Sequence, residues 1–157
     1  MASAKQPSAI DEAVFGQKDQ QLDYKTRTGA YIIIPDAQHY RMLLVTAPNG
    51  ALLLPGGGME AGEDQAETLQ RELLEEAGFK VSNVRYLGRA GEYFYSHFRQ
   101  QAFYTPGYFY IAEAYEKVKD PLEDFNNLIW LPIPQGIQAL KRPTHKWAVK
   151  QWLKELS

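Results

Sequence analysis

Cysteine is absent from this chain of 157 residues, which excludes disulfide staples, thiol nucleophiles and Cys-ligated zinc together. Long apolar runs are missing as well. No stretch approaches the ~20 consecutive apolar residues of a membrane helix, and the start shows no signal-peptide pattern, so a soluble cytoplasmic protein is expected. Nor is there an excess of positive charge. Lys and Arg number 17 against 19 Asp and Glu, a net charge of −2, which gives no general attraction for nucleic acid. That balance favours a small-molecule partner. A phosphorylated one would need local compensation from a metal ion or from nearby Arg and Lys. Internal repeats are not visible either. With 45% hydrophobic residues the chain can bury a real core, and a single domain over residues 12–157 is expected. The polar start from Met1 to about Asp11 is expected to be disordered.

What the chain does have is a glycine run, Gly56-Gly57-Gly58, followed by an acidic segment, Arg71-Glu72-Leu73-Leu74-Glu75-Glu76-Ala77-Gly78-Phe79. The glycines end an apolar run, Ala51 to Leu54, and predict a sharp turn that can aim backbone groups at a ligand. A helix from Asp64 to Ala77, stopped by Gly78, is predicted next. At about 100° per residue Glu72, Glu75 and Glu76 share one sector of about 100°. Leu69, Leu73, Ala66 and Ala77 fall on the neighbouring sector, as an apolar stripe. The acids therefore stand at the edge of the core. Like charges crowded there raise one another's pKa values unless a cation is bound, and hard carboxylate oxygens favour Mg²⁺ or Mn²⁺. Arg71, four residues before Glu75, is placed to pair with it. Glu63, just before the helix, is placed to cap free N–H groups or to reach Arg71.

Gly57, five residues, Glu63, seven residues, then Arg71 to Phe79: this spacing matches every position of the Nudix box, and the chain resembles the Nudix hydrolase family. Chance agreement at that many fixed positions is on the order of one in a billion per starting point. The resemblance implies that Glu72, Glu75 and Glu76 bind divalent metal, assisted by a backbone carbonyl at the start of the box, here that of Gly56. It implies hydrolysis of a nucleoside diphosphate linked to another group, by metal-activated water attacking the pyrophosphate. It also implies an α+β fold, an α/β/α sandwich around a mixed sheet. The alternative is a catalytically silent module that binds nucleotides without turnover, which the complete set of acids argues against. A homodimer is left open.

The rest of the chain reads as strands near 24–27, 30–34, 41–47, 51–54, 81–95, 107–115 and 128–132. A short helix is predicted over 134–140, and Thr144 is placed to cap a last helix carrying Ala148, Trp152 and Leu156 at helical spacing. Strands interleaved with few helices predict a mixed sheet covered on both faces.

Substrate choice is sought after the box, where aromatic residues gather over 92–99 and 103–110. Tyr93, Tyr95 and His97 share one strand face, and Phe94, Ser96 and Phe98 the other. The first, more polar face is expected to look into the cleft. The same segment carries Tyr95 and no proline, which resembles the diadenosine polyphosphate type of the family more than the ADP-ribose type. A further carboxylate for metal or for proton removal is sought among Glu113, Glu116, Glu123 and Asp124, with Glu113 first. His39 and His145 read as surface residues. Lys141, Arg142, His145, Lys146 and Lys150 read as the wet face of the last helix, or else as an attraction for polyphosphate or an RNA 5′ end.

Overall fold

The computed structural model describes residues 5–118 and 127–156. Its order is β1 (Ala13–Phe15), β2 (Tyr24–Thr26), β3 (Gly29–Ile33), β4 (Arg41–Thr46), β5 (Leu52–Leu53), β6 (Gly56–Gly58) and α1 (Gln65–Glu76). There follow β7 (Phe79–Ser96), β8 (Gln101–Lys117), β9 (Asn127–Pro132), α2 (Ile133–Ala139) and α3 (Pro143–Leu156). A six-stranded mixed sheet runs β1-β7-β8-β3-β6, with β2 also paired to β8; a smaller antiparallel sheet runs β5-β4-β9. The expectation of one mixed sheet thus becomes two sheets, because the chain changes sheet between β5 and β6.

Alternation along β3 divides the core. Ile33 joins Leu54, Phe109, Ile111, Ala148, Val149 and Trp152 on the α3 side. Ala30, Ile32 and Ile34 join Leu69, Leu73, Ala77, Phe79 and Ala112 on the α1 side. Period two thus feeds two apolar layers from one strand, and a helix covers each face of the large sheet. This is the α+β sandwich expected, with α1 and α3 as its outer layers.

The box helix begins one residue after Asp64 and ends at Glu76. Asp64 accepts the Glu67 N–H at 2.8 Å while Glu67 accepts the Asp64 N–H at 3.1 Å, a reciprocal capping box. Capping therefore falls to Asp64 and not to Glu63. The buried stripe is Thr68, Leu69 and Leu73, whereas Ala66 is exposed. Burying one such Leu contributes roughly 1.5–3 kcal/mol, against about 1 kcal/mol for the cap, so the core and not the cap holds α1. Asp64→Ala is accordingly expected to cost only about 1 kcal/mol, read as a small fall in melting temperature.

Three further expectations change. The glycine run forms the edge strand β6, paired with β3 through Gly29↔Gly58, Ala30↔Gly57 and Tyr31↔Gly56, where a turn was predicted. α3 already begins at Pro143, with the Lys146 N–H bonded to the Arg142 carbonyl at 3.2 Å, so Thr144 is a buried first-turn residue and no cap. His145 is fully buried, while His39 is exposed as expected. Of the polar start, residues 1–4 lie outside the described residues. Lys5 Nζ donates to the Leu87 carbonyl at 2.9 Å and Asp11 pairs with Arg89 at 2.9 Å, so 5–11 runs along β7.

Candidate active site

β6 places the site. The Pro55 carbonyl accepts from Ile32 and the Met59 N–H donates to Thr28, so Gly57 lies within the ladder to β3, while the Gly56 N–H and the Gly58 carbonyl turn away from it. α1 meets that outer edge. The Gly56 N–H donates to Glu76 Oε1 at 3.0 Å, and the Gly58 carbonyl accepts from Arg71 at 3.1 Å. A Cβ on Gly57 would lie 2.7 Å from the Glu72 carboxyl, so only glycine lets Glu72 come this close to the strand.

Arg71 organises the acids. Its Nε donates to Glu63 Oε2 at 2.6 Å and its Nη1 to Glu72 Oε1 at 2.9 Å, with Glu75 at 3.4 Å and Glu60 at 3.6 Å. Glu63 also accepts from the Glu60 N–H at 2.8 Å and the Thr68 hydroxyl at 2.9 Å. Glu63 thus reaches Arg71, one of its two expected roles. The Arg71 hydrogen bond, with the Glu60 backbone, holds the Glu63 carboxyl at a pKa of about 2. A depressed carboxyl stabilises the fold above its ordinary pKa, and that contribution is lost as pH falls through the depressed value. The Glu63 carboxyl signal in NMR is therefore expected to stay put down to 4.5, its ordinary value, and to move only toward 2. In Arg71→Ala the titration should move up, with the Glu60 N–H and the Thr68 hydroxyl still holding it below the ordinary value.

Glu72, Glu75, Glu76 and the carbonyl of Gly56 offer only hard oxygens, the donor set that suits Mg²⁺ or Mn²⁺. Among the described residues no three acidic or imidazole side chains already converge tightly enough to hold an ion. The Arg71 guanidinium stands among them, so a bound cation would share the carboxylates with it. Glu113 is not brought to this cluster. It shares a face with Phe109 and Ile111 by alternation and lies 3.7 Å from Arg85, which also holds Glu155 of α3 at 2.6 Å. Glu116 lies near the end of β8, where it lines a recess with Lys80, Ser82 and Tyr115. Glu123 and Asp124 lie outside the described residues.

The aromatic faces fall differently from expectation. Tyr93 stacks on Tyr104 at 4.3 Å and lines a depression with Lys18, Asp23 and Tyr24. Tyr95 is largely exposed, and His97 lies in the β7–β8 turn, 5.1 Å from the Tyr95 ring. The opposite face lines a recess of about 370 Å³, formed by Glu92 and Phe94 with Ala47, Asn49, Ala51, Leu53, Lys141 and Arg142. That face continues through Tyr31, whose ring lies over Gly29 and stacks on Phe109 at 5.6 Å. Burial raises the Tyr31 pKa; Arg142, bonded to its hydroxyl, opposes this, and Glu76 and Glu72 add to it. Tyr31 therefore stands between the acids and the recess. Glu92 is also raised by burial, against Arg142 and Lys141. Sequence reasoning did not single out Tyr31 or Glu92 for this region, and named Arg142 only within the basic group Lys141 to Lys150. The signal for Glu92 was its shared parity with Phe94.

Comparison with known proteins identifies the family. Residues 25–155 match the NUDIX domain model. The MutT protein of Bacillus halodurans superposes with a TM-score of 0.61 at 25% identity, covering 79% of this chain and 80% of that one. MutT from Aliivibrio salmonicida and Vibrio cholerae gives 0.61 at 21% identity, covering 83% and 99%, a likeness of fold. The NAD-capped RNA hydrolase NudC of Actinobacillus succinogenes is 37% identical over 62 residues, 40% of this chain but only 23% of that protein. The chain belongs to the Nudix family, whose members are generally pyrophosphohydrolases using divalent metal ions.

Proposed function

We propose that the chain is a Mg²⁺-dependent, cytoplasmic enzyme that hydrolyses the phosphoanhydride of a nucleoside diphosphate derivative, with Mn²⁺ as an alternative ion. Glu72, Glu75, Glu76 and the Gly56 carbonyl hold the metal, and Arg71 with Glu63 keeps those acids in register. The observation that carries this reading is the Gly56 N–H to Glu76 bond at 3.0 Å, which draws the acids of α1 onto the outer edge of β6. When bound, the ion supplies positive charge to the pyrophosphate oxygens and acidifies water. The chain supplies the rest. One carboxylate of the cluster takes the proton from water, and Arg142, bonded to Tyr31, faces the substrate's negative charge.

The nucleoside is assigned to the recess of Phe94 and Glu92. β7 lies three strand spacings from β6 in the order β7-β8-β3-β6, or about 14 Å, the distance a nucleotide would span between the recess and the acids at the β6 edge. Phe94 offers a ring edge or face to a base. This favours a single nucleotide, such as a nucleoside triphosphate. Tyr95, on the other face, gives the dinucleoside polyphosphate reading no support.

A hydrolysis screen with Mg²⁺ tests this, over nucleoside triphosphates, dinucleoside polyphosphates, nucleotide sugars, ADP-ribose and NAD-capped RNA ends, with labelled water locating the phosphorus attacked. Turnover of one nucleotide class, abolished by chelator, is expected. Tight nucleotide binding without phosphate release at any metal concentration would show a silent module instead.

A further inference from the structure

Leu54 and Pro55 are where the chain leaves the small sheet for the large one, so the β-ladders stop there and the backbone groups need other partners. Three elements supply them. The Leu54 N–H donates to Nδ1 of His145 on α3 at 3.1 Å, the Pro55 carbonyl accepts from Ile32 on β3 at 3.0 Å, and the Gly56 N–H donates to Glu76 on α1 at 3.0 Å. The first of these is the unusual one. His145 is wholly buried, its ring held between Tyr31 at 4.5 Å and Phe109 at 5.5 Å. Because Nδ1 accepts, the proton of the neutral ring sits on Nε2, and that atom has no hydrogen-bond partner. A buried polar group left half-satisfied is costly, and its one bond reaches the residue two before Gly56.

We propose that His145 is a positioning residue of the hydrolase, whose Nδ1 fixes Leu54 and thereby the aim of the Gly56 carbonyl at the metal held by α1. The inference rests on the reading of Glu72, Glu75, Glu76 and Gly56 as metal holders. It makes α3, which contributes nothing to the box, a determinant of metal affinity.

Mn²⁺ binding by wild type, His145→Leu and His145→Asn tests it, measured by electron paramagnetic resonance without substrate, beside kcat and KM. Val149→Ala, at a buried position on the same helix, is the packing control. His145→Leu removes the acceptor and is expected to weaken Mn²⁺ by about 10- to 100-fold and to lower kcat more than it changes KM. His145→Asn places Oδ1 near the position of Nδ1 and restores most of the affinity. Val149→Ala lowers the melting temperature and leaves Mn²⁺ binding alone. Equal Mn²⁺ binding by His145→Leu and Val149→Ala, or an Asn variant no better than Leu, overturns the inference while the metal site stands. Wild type that binds no Mn²⁺ overturns both. Should the Leu variant not fold, imidazole ¹⁵N spectra of wild type decide: an Nε2–H tautomer with a slowly exchanging Leu54 amide supports the role, and an Nδ1–H tautomer ends it.

Discussion

Glu76→Gln is expected to lower kcat by on the order of 10²- to 10⁴-fold while the protein folds as before. The two halves of that expectation have separate causes. Glutamine keeps a carbonyl oxygen where Glu76 Oε1 accepts the Gly56 N–H, so the link between α1 and β6 survives. What it loses is the negative charge, which both metal binding and proton removal require. Steady-state rates with Mg²⁺, beside a thermal melt, separate the two. Full activity in this variant would sink the assignment of the acids.

The second large effect comes from adjacent glycines that should fail in different ways. In Gly57→Ala the added Cβ would meet the Glu72 carboxyl at 2.7 Å. That group is the end of a flexible side chain, so Glu72 moves and the fold persists. A catalytic group misplaced by that much costs up to about 100-fold in kcat/KM. In Gly56→Ala the Cβ would stand 2.2 Å from the Ala30 carbonyl, at a backbone φ of +133°. Backbone cannot step aside as a side chain does, so β3 and β6 must part, at a cost on the order of 3 kcal/mol. Denaturant titration beside kcat/KM should therefore separate the pair: Gly57→Ala loses activity with little loss of stability, and Gly56→Ala loses both. Equal loss of stability in both would refute the placement of Glu72 against Gly57.

The box was legible because its physics is local. Helical spacing alone puts Glu72, Glu75 and Glu76 together, and the Gly78 stop and the Arg71 to Glu75 offset need no knowledge of the rest of the chain. The cap was assigned one residue early, to Glu63, although Asp64 and Glu67 have the spacing of a capping box. Beyond the two helix caps, the misreadings turn on how the elements pack. Parity along β7 separates Tyr93 and Tyr95 from Phe94, but which face meets the cleft is set by where α3 packs. His145 was read as wet for its polarity, although 145, 148, 149 and 152 form one helical stripe that is buried throughout. The glycines were read as a turn because triple glycine carries no strand preference; pairing with β3 overrides it.

β6 is also the last strand of its sheet, and such an edge invites a second chain to pair with it. Here the invitation is withdrawn by side chains. Glu76 has taken the outward N–H of Gly56 and Arg71 the outward carbonyl of Gly58, so α1 stands where a foreign strand would lie. The acids and the arginine of the box thus guard solubility as well as holding the site, and variants stripped of both should be prone to edge-to-edge self-association.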